Sequence, residues 1–261
     1  MMTVGLHRMT YTIHRHCTRA RTEWRDAQQS VSARPPGASS QLFVPGRICL
    51  MGEHSDWAGG FRRLNPDVVE GYCLVCGTEE GLYARVRRLP GQLKLRSTDE
   101  RGQVQEMAMA LVPEELLATA KAGGFFSYVA GVVYQILLQK VEVRWCNWGL
   151  EIDNYRTTLP LSKGLSSSAA MCVLVARGFN HAYGLGLNVR EEMELAYQGE
   201  VTTPSQCGRM DQCCAFGARP VLMVFDGDRL DCDELTLGGT LFLVIVELAG
   251  KKDTTEILQK L

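Results

Sequence analysis

The chain of 261 residues is long enough for one large domain or two small ones with a substantial buried core. Apolar residues at 46% and charged residues at 22% exclude a disordered, collagen-like or coiled-coil protein. Its 28 basic and 29 acidic residues leave a formal net charge of −1, with no electrostatic footprint for nucleic acid or a membrane surface. No apolar run approaches the roughly 18–20 residues of a membrane-spanning helix.

Residues 1–40 differ from the rest, with six arginines, no lysine and only Glu23 and Asp26 as acids. They end in Arg34-Pro35-Pro36-Gly37-Ala38-Ser39-Ser40, a linker-like composition, and read as a solvated, disordered extension with room for one short helix. From Leu42 onward the pattern is that of a mixed α+β domain. Leu42–Met51 reads as a buried strand interrupted by Pro45-Gly46, and Tyr72–Cys76 and Leu82–Arg88 as two further strands. Leu93–Ser97 follows the Pro90-Gly91 turn, which predicts a hairpin with Leu82–Arg88. Phe125–Leu138 has helical length and spacing, Trp148–Ile152 is a strand, and Leu165–Ala182 is a long apolar helix. Arg190–Gln198 is an amphipathic helix with Glu191 and Glu192 in its first turn, where the helix dipole favours anions. Val221–Phe225 and Leu241–Val246 are apolar strands, and Asp253–Leu261 starts a helix. Strands and helices interleave without regular alternation, which favours α+β over a doubly wound sheet.

The ten cysteines lack the spacing of a disulfide scaffold or a zinc site. Cys73 and Cys76 form a lone CxxC, and no apolar segment of a signal peptide follows Met1. These features describe a cytoplasmic protein with reduced, mostly buried thiols.

Three segments carry chemistry. Pro160-Leu161-Ser162-Lys163-Gly164-Leu165-Ser166-Ser167-Ser168-Ala169-Ala170 is a Gly/Ser loop feeding a helix. It suits an anion site, because unpaired N–H groups and the dipole both point at a ligand, and it equally suits a Ser-rich cap on a core helix. The spacing of a P-loop is absent, and no GxGxxG follows a strand. Gly46-Arg47-Ile48-Cys49-Leu50-Met51-Gly52-Glu53-His54-Ser55-Asp56 leads from a strand into a turn whose carboxylates can accept hydrogen bonds from a polyol. In Cys207-Gly208-Arg209-Met210-Asp211-Gln212, Asp211 lies among small and apolar residues, where a buried carboxylate needs a partner such as Arg47.

Together, GRICLMGEHSDWAGG, PLSKGLSSSAA and CGRMDQ resemble, in order, the signatures of the GHMP kinases: galactokinase, homoserine kinase, mevalonate kinase and phosphomevalonate kinase. The first segment looks most like galactokinase. The resemblance implies an N-terminal ATP-binding domain over residues 41–226 and, over 227–261, only the start of the family's C-terminal domain. It implies that Lys163, Gly164, Leu165, Ser166, Ser167, Ser168 and Ala169 hold the ATP phosphates, and that Ser168 and Glu200 bind Mg²⁺. Asp211 would act on the acceptor hydroxyl, Arg47 would steady Asp211 and the phosphoryl group, and Glu53, His54 and Asp56 would bind a sugar. Such a chain is a sugar kinase or a truncated, inactive binder of sugar or nucleotide. A mevalonate-type kinase is disfavoured because two acids in the turn would repel a carboxylated substrate. The sequence departs from the family pattern at Phe61-Arg62-Arg63-Leu64-Asn65-Pro66, at Lys163 and at Arg209.

Overall fold

The computed structural model describes residues 9–13, 39–139, 148–160, 164–205, 207–239 and 241–245. Lys163 and the predicted helix over 253–261 lie outside the described residues. The backbone of the main sheet is one long antiparallel pair, β2 (Ser40–Met51) against β3 (Gly71–Arg88). Tyr72–Cys76 and Leu82–Arg88 are therefore one strand, not two. Gly77-Thr78-Glu79-Glu80-Gly81 breaks the apolar pattern, but β2 continues alongside β3, with register shifts at Pro45/Arg47 and Cys49/Met51.

The opposite edge of β3 is divided between two partners. Gly71–Cys76 pairs with β7 (Pro220–Asp226), and Leu82–Arg88 pairs with β6 (Leu150–Thr157), both antiparallel. The predicted hairpin between Leu82–Arg88 and Leu93–Ser97 does not form. Segment 148–149 occupies the intervening turn, with Leu89 N donating to Gly149 O (3.0 Å) and Gly91 N to Trp148 O (2.7 Å). β6 thus inserts beside β3, and β4 (Gln92–Thr98) packs parallel to β6 on its far side. The actual hairpin joins β4 to β5 (Val104–Ala110), a strand with mostly exposed residues that hydrophobic patterning did not mark. At the other end, β8 (Arg229–Glu234) pairs with β7 and carries the same sheet into the 227–261 region. Met9–Ile13, expected within the extension, forms β1, an antiparallel partner of β9 (Leu241–Ile245).

Among the described residues, five α-helices accompany the sheet: α1 (Ser55–Gly60), α2 (Pro113–Ala122), α3 (Phe125–Gln139), α4 (Ser167–Tyr183) and α5 (Val189–Val201). α4 is buried on nearly every side, from Ala169 through Phe179, because it lies between β2–β3 and helices α3 and α5. Its apolar, unperiodic sequence follows from that position. α3 and α5 cross closely at Gly131 and Gly199: a Cβ on Gly131 would lie 2.3 Å from Gly199 O. This contact fixes Glu200, the next residue, at the inner end of α5.

One buried ion pair joins α4 to α5. Arg177 Nε donates to Glu192 Oε2 at 2.8 Å and its guanidinium reaches Ala215 O at 2.8 Å, while Asn180 donates to Glu192 Oε1 at 2.7 Å. Glu192 therefore serves a buried network, whereas Glu191 closes a capping box with Asn188, whose N donates to Glu191 Oε2 at 2.7 Å. Removing one member of a buried pair leaves an uncompensated charge. Arg177→Met is expected to lower the unfolding free energy by about 3–5 kcal/mol, measured by chemical denaturation; a loss below about 1 kcal/mol would show that the network is not coupled to stability.

Candidate functional site

The site forms where three distant segments meet: the end of β2 with its following turn, the N-terminus of α4, and the 3₁₀ helix Asp211–Phe216. Arg47 is at the centre, only 4% exposed. Its Nε donates to Asp211 Oδ1 at 3.0 Å, and a second guanidinium nitrogen also contacts Oδ1. The same guanidinium reaches Glu53 at 3.4 and 3.5 Å and the carbonyl of Gly164 at 3.4 Å. Its backbone N donates to Leu165 O at 3.2 Å, so one residue ties together the turn, the Gly/Ser loop and Asp211. Burial opposes the guanidinium charge, but Asp211 and Glu53 outweigh it and hold the Arg47 pKa above its ordinary value.

Among the described non-glycine residues, only His54 (φ 68°) and Ser166 (φ 56°) have positive φ. Each is the N-cap of a helix entering the site, His54 for α1 and Ser166 for α4. This conformation is costly for L residues and concentrates where surrounding structure imposes it, often at functional sites. Ser166 makes no side-chain cap, and its Oγ is buried without a partner. The first N–H groups of α4, over Ser167, Ser168 and Ala169, therefore lack a side-chain acceptor from their cap. An orphaned hydroxyl beside uncapped amides suits a phosphate group.

Behind this loop, the Ser168 hydroxyl hydrogen-bonds to Glu200, which is 1% exposed. Burial is the main reason that the Glu200 pKa is pushed up to about 7, with Asp211 adding in the same direction and Ser168 and Gln212 opposing. A buried carboxylate beside a hydroxyl offers hard oxygen ligands to Mg²⁺, which takes few protein ligands when phosphates and water complete its shell. The residues present therefore fit both ATP phosphates and Mg²⁺.

Asp56 occupies the other side of the site. It is buried, its Oδ2 accepts from Met210 N at 3.4 Å, and its Oδ1 has no partner. A Cβ on Gly208 would lie 1.6 Å from Asp56 Oδ2, so only glycine admits the carboxylate there. Burial raises the Asp56 pKa against the opposing Met210 N–H. Arg47, Glu53, Gly164, Leu165 and Asp211 are thus joined directly, and Ser168 with Glu200 and Asp56 with Met210 flank them.

Sequence reasoning did not find Gln212, which is fully buried and donates to Glu200 Oε2 at 2.8 Å. Its place directly after Asp211 was the available signal. The family departures at Arg62, Arg63 and Arg209 also find an explanation. Arg62 pairs with Asp226, Arg63 reaches Asp228 Oδ1 at 3.2 Å, and Arg209 donates to Asp228 O at 2.8 Å.

Residues 127–218 match the model of the GHMP kinases N terminal domain. The chain carries a GHMP kinase N-terminal domain. A galactokinase of Thermococcus kodakarensis is 27% identical over 217 residues, covering 82% of this chain and 54% of that protein. A galactokinase of Streptomyces coelicolor is 31% identical over 179 residues, covering 67% and 41%. The chain spans about half the length of the curated relatives it matches. The Lactococcus lactis galactokinase complexed with galactose shares the GHMP fold with a TM-score of 0.56, at 21% identity over 84% of this chain and 51% of that one. The matched GHMP segment includes Ser168, Glu200 and Asp211 but not Arg47 or the turn over 52–56.

A carboxylate that keeps its proton in the fold until about pH 7, but loses it near 4.5 when unfolded, favours folding most at low pH. In metal-free buffer, stability should therefore fall as pH rises from about 4.5 to 7, by up to about 3 kcal/mol from this group. Glu200→Gln is expected to flatten this decline. Melting curves in EDTA at pH 5 and pH 8 check it, and equal slopes for both proteins would refute the burial assignment.

Proposed function

We propose that this domain transfers the γ-phosphoryl group of ATP to a hydroxyl of a sugar, in the manner of a galactokinase, as part of a cytoplasmic Mg²⁺-dependent kinase. The observation that carries the reading is the Arg47–Asp211 pair, set between a phosphate-type loop and a polyol-type turn.

Phosphoryl transfer depends on positioning and charge stabilisation more than on covalent chemistry by the protein. Gly164 and Leu165, with the hydroxyls of Ser166 and Ser167 and the α4 amides, hold the phosphates; Lys163, a departure from the family pattern, is assigned here from its place in the loop sequence. Ser168 and Glu200 would hold Mg²⁺, which supplies neutralisation of phosphate charge. Glu53, His54 and Asp56 bind sugar hydroxyls, Asp56 through an oxygen that has no partner within the protein. Asp211 accepts a hydrogen bond from the attacking hydroxyl and orients its lone pair toward phosphorus. Two donors from Arg47 hold Asp211 Oδ1, which keeps the carboxylate in a single orientation. Arg47 also places positive charge beside the transferring group. The galactose complexed with the Lactococcus lactis enzyme, together with the galactokinase relatives, supports a monosaccharide acceptor.

Incubation of the chain with Mg-ATP and a panel of monosaccharides, with sugar phosphate measured by mass spectrometry, tests the proposal. Asp211→Asn is nearly isosteric and should lower the rate by about 10²–10⁴-fold while nucleotide binding persists. Product formation that is equal in the variant and the parent would refute the role of Asp211. Absence of product from every sugar would refute sugar phosphorylation by this chain.

A further inference from the structure

The CxxC formed by Cys73 and Cys76 is unsuited to closing on itself. Both residues lie in the regular β3–β7 ladder, where positions three apart project to opposite faces. The β2–β3 register instead sets Cys49 opposite Val75, which places Cys49 on the same face as Cys73, diagonally across the two strands. The two thiols are neighbours, and each is the largest single influence on the other's ionisation. Each also donates to a carbonyl at the start of the turn, Cys49 Sγ to Met51 O at 3.1 Å and Cys73 Sγ to Gly52 O at 2.8 Å. Cys49 is partly exposed, whereas Cys73 is buried.

We propose that Cys49 and Cys73 are a reversible dithiol–disulfide site, oxidised by hydrogen peroxide, reduced again by a dithiol, and placed at the base of the Glu53–His54–Asp56 turn. Cys49 is the thiol that meets the oxidant. The neighbouring Cys73 thiol is the largest influence holding its pKa below the ordinary thiol value, against burial and Glu53, and nearby Arg47 acts in the same direction as Cys73. The same pairing, with burial, pushes Cys73 up, so Cys73 is the resolving partner. In the first step the Cys49 thiolate attacks a peroxide oxygen, the O–O bond breaks, and Cys49 becomes a sulfenic acid as hydroxide leaves and takes up a proton as water. In the second, Cys73 sulfur attacks Cys49 sulfur, the S–S bond forms, and the sulfenic oxygen leaves as a second water with the Cys73 proton. Two thiols lose two electrons and two protons, and one peroxide is reduced to two waters. The disulfide withdraws both S–H donors from the carbonyls of Met51 and Gly52, the residues that lead into Glu53.

The test treats the whole chain with hydrogen peroxide under native conditions, blocks remaining thiols, and maps peptides by mass spectrometry. A Cys49–Cys73 cross-linked peptide, lost again on adding dithiothreitol, is the expected result. In Cys73→Ser, Cys49 should accumulate as a sulfenic acid trapped by dimedone. In Cys49→Ser, Cys73 should stay reduced. A cross-link between Cys73 and Cys76, or oxidation of Cys49 in the parent straight to sulfinic acid with no cross-link, would overturn the proposal. The map reads sulfur chemistry alone, so its outcome is independent of whether the chain phosphorylates a sugar.

Discussion

The contact between Arg47 and Asp211 is the constraint around which the rest of the site is organised. The two residues are 164 positions apart, and a guanidinium that is 4% exposed cannot be held without compensating acceptors. Desolvating both charges costs several kcal/mol per ion, and the attraction offsets this only with good geometry and further hydrogen bonds. Arg47 obtains them from Glu53 and from the carbonyl of Gly164. The requirement to satisfy one buried cation therefore brings three segments to one place: the β2 turn, the loop before α4 and the 3₁₀ helix.

The buried Arg177–Glu192 pair supports this arrangement from behind. Arg177 also binds the carbonyl of Ala215, four residues beyond Asp211, so α4, α5 and the 3₁₀ helix share one polar anchor. The close crossing of α3 and α5 at Gly131 and Gly199 then fixes Glu200 opposite Ser168. Glu200 is consequently desolvated and keeps its proton up to about pH 7.

Much of this was legible in the sequence because the decisive signals are local. Helices α3 and α5 follow from apolar spacing and α4 from its long apolar run, and the three motifs contain Arg47, Asp56, Ser168 and Asp211. What was not legible depends on partners remote in the chain. The insertion of β6 between β3 and β4 is set by hydrogen bonds that Leu89 N and Gly91 N donate to the carbonyls of Gly149 and Trp148, which no window around either segment contains. β5 has mostly exposed residues and so lacks the alternation that marks a half-buried strand. Glu192 looked like a dipole-complementing acid at a helix start, and only the tertiary position of Arg177 reveals that it is buried. Gln212 was hidden because an amide beside a candidate catalytic aspartate carries no periodic signal.

The departures from the family pattern bear on how the Glu53–Asp56 turn is held. Arg62 and Arg63, in the segment that breaks the expected apolar run, reach Asp226 and Asp228 in and beside the β7–β8 turn. Arg209, in the third motif, donates to the carbonyl of the same Asp228 and lies over the Tyr197 ring at 5.1 Å. Gly227 N donates to Gly59 O at 2.9 Å and completes the contact with the end of α1. Three unusual arginines in two distant motifs thus converge on one turn, so they act as one structural feature. Because Gly208 touches Asp56 and Arg209 is anchored to Asp228, the clamp joins the two strips of chain between which Asp56 is buried. Individually exposed ion pairs such as Arg63–Asp228 contribute little energy, but the clamp limits the directions in which α1 can move relative to β7. Its effect is therefore on the placement of the Glu53–Asp56 turn more than on the stability of the sheet.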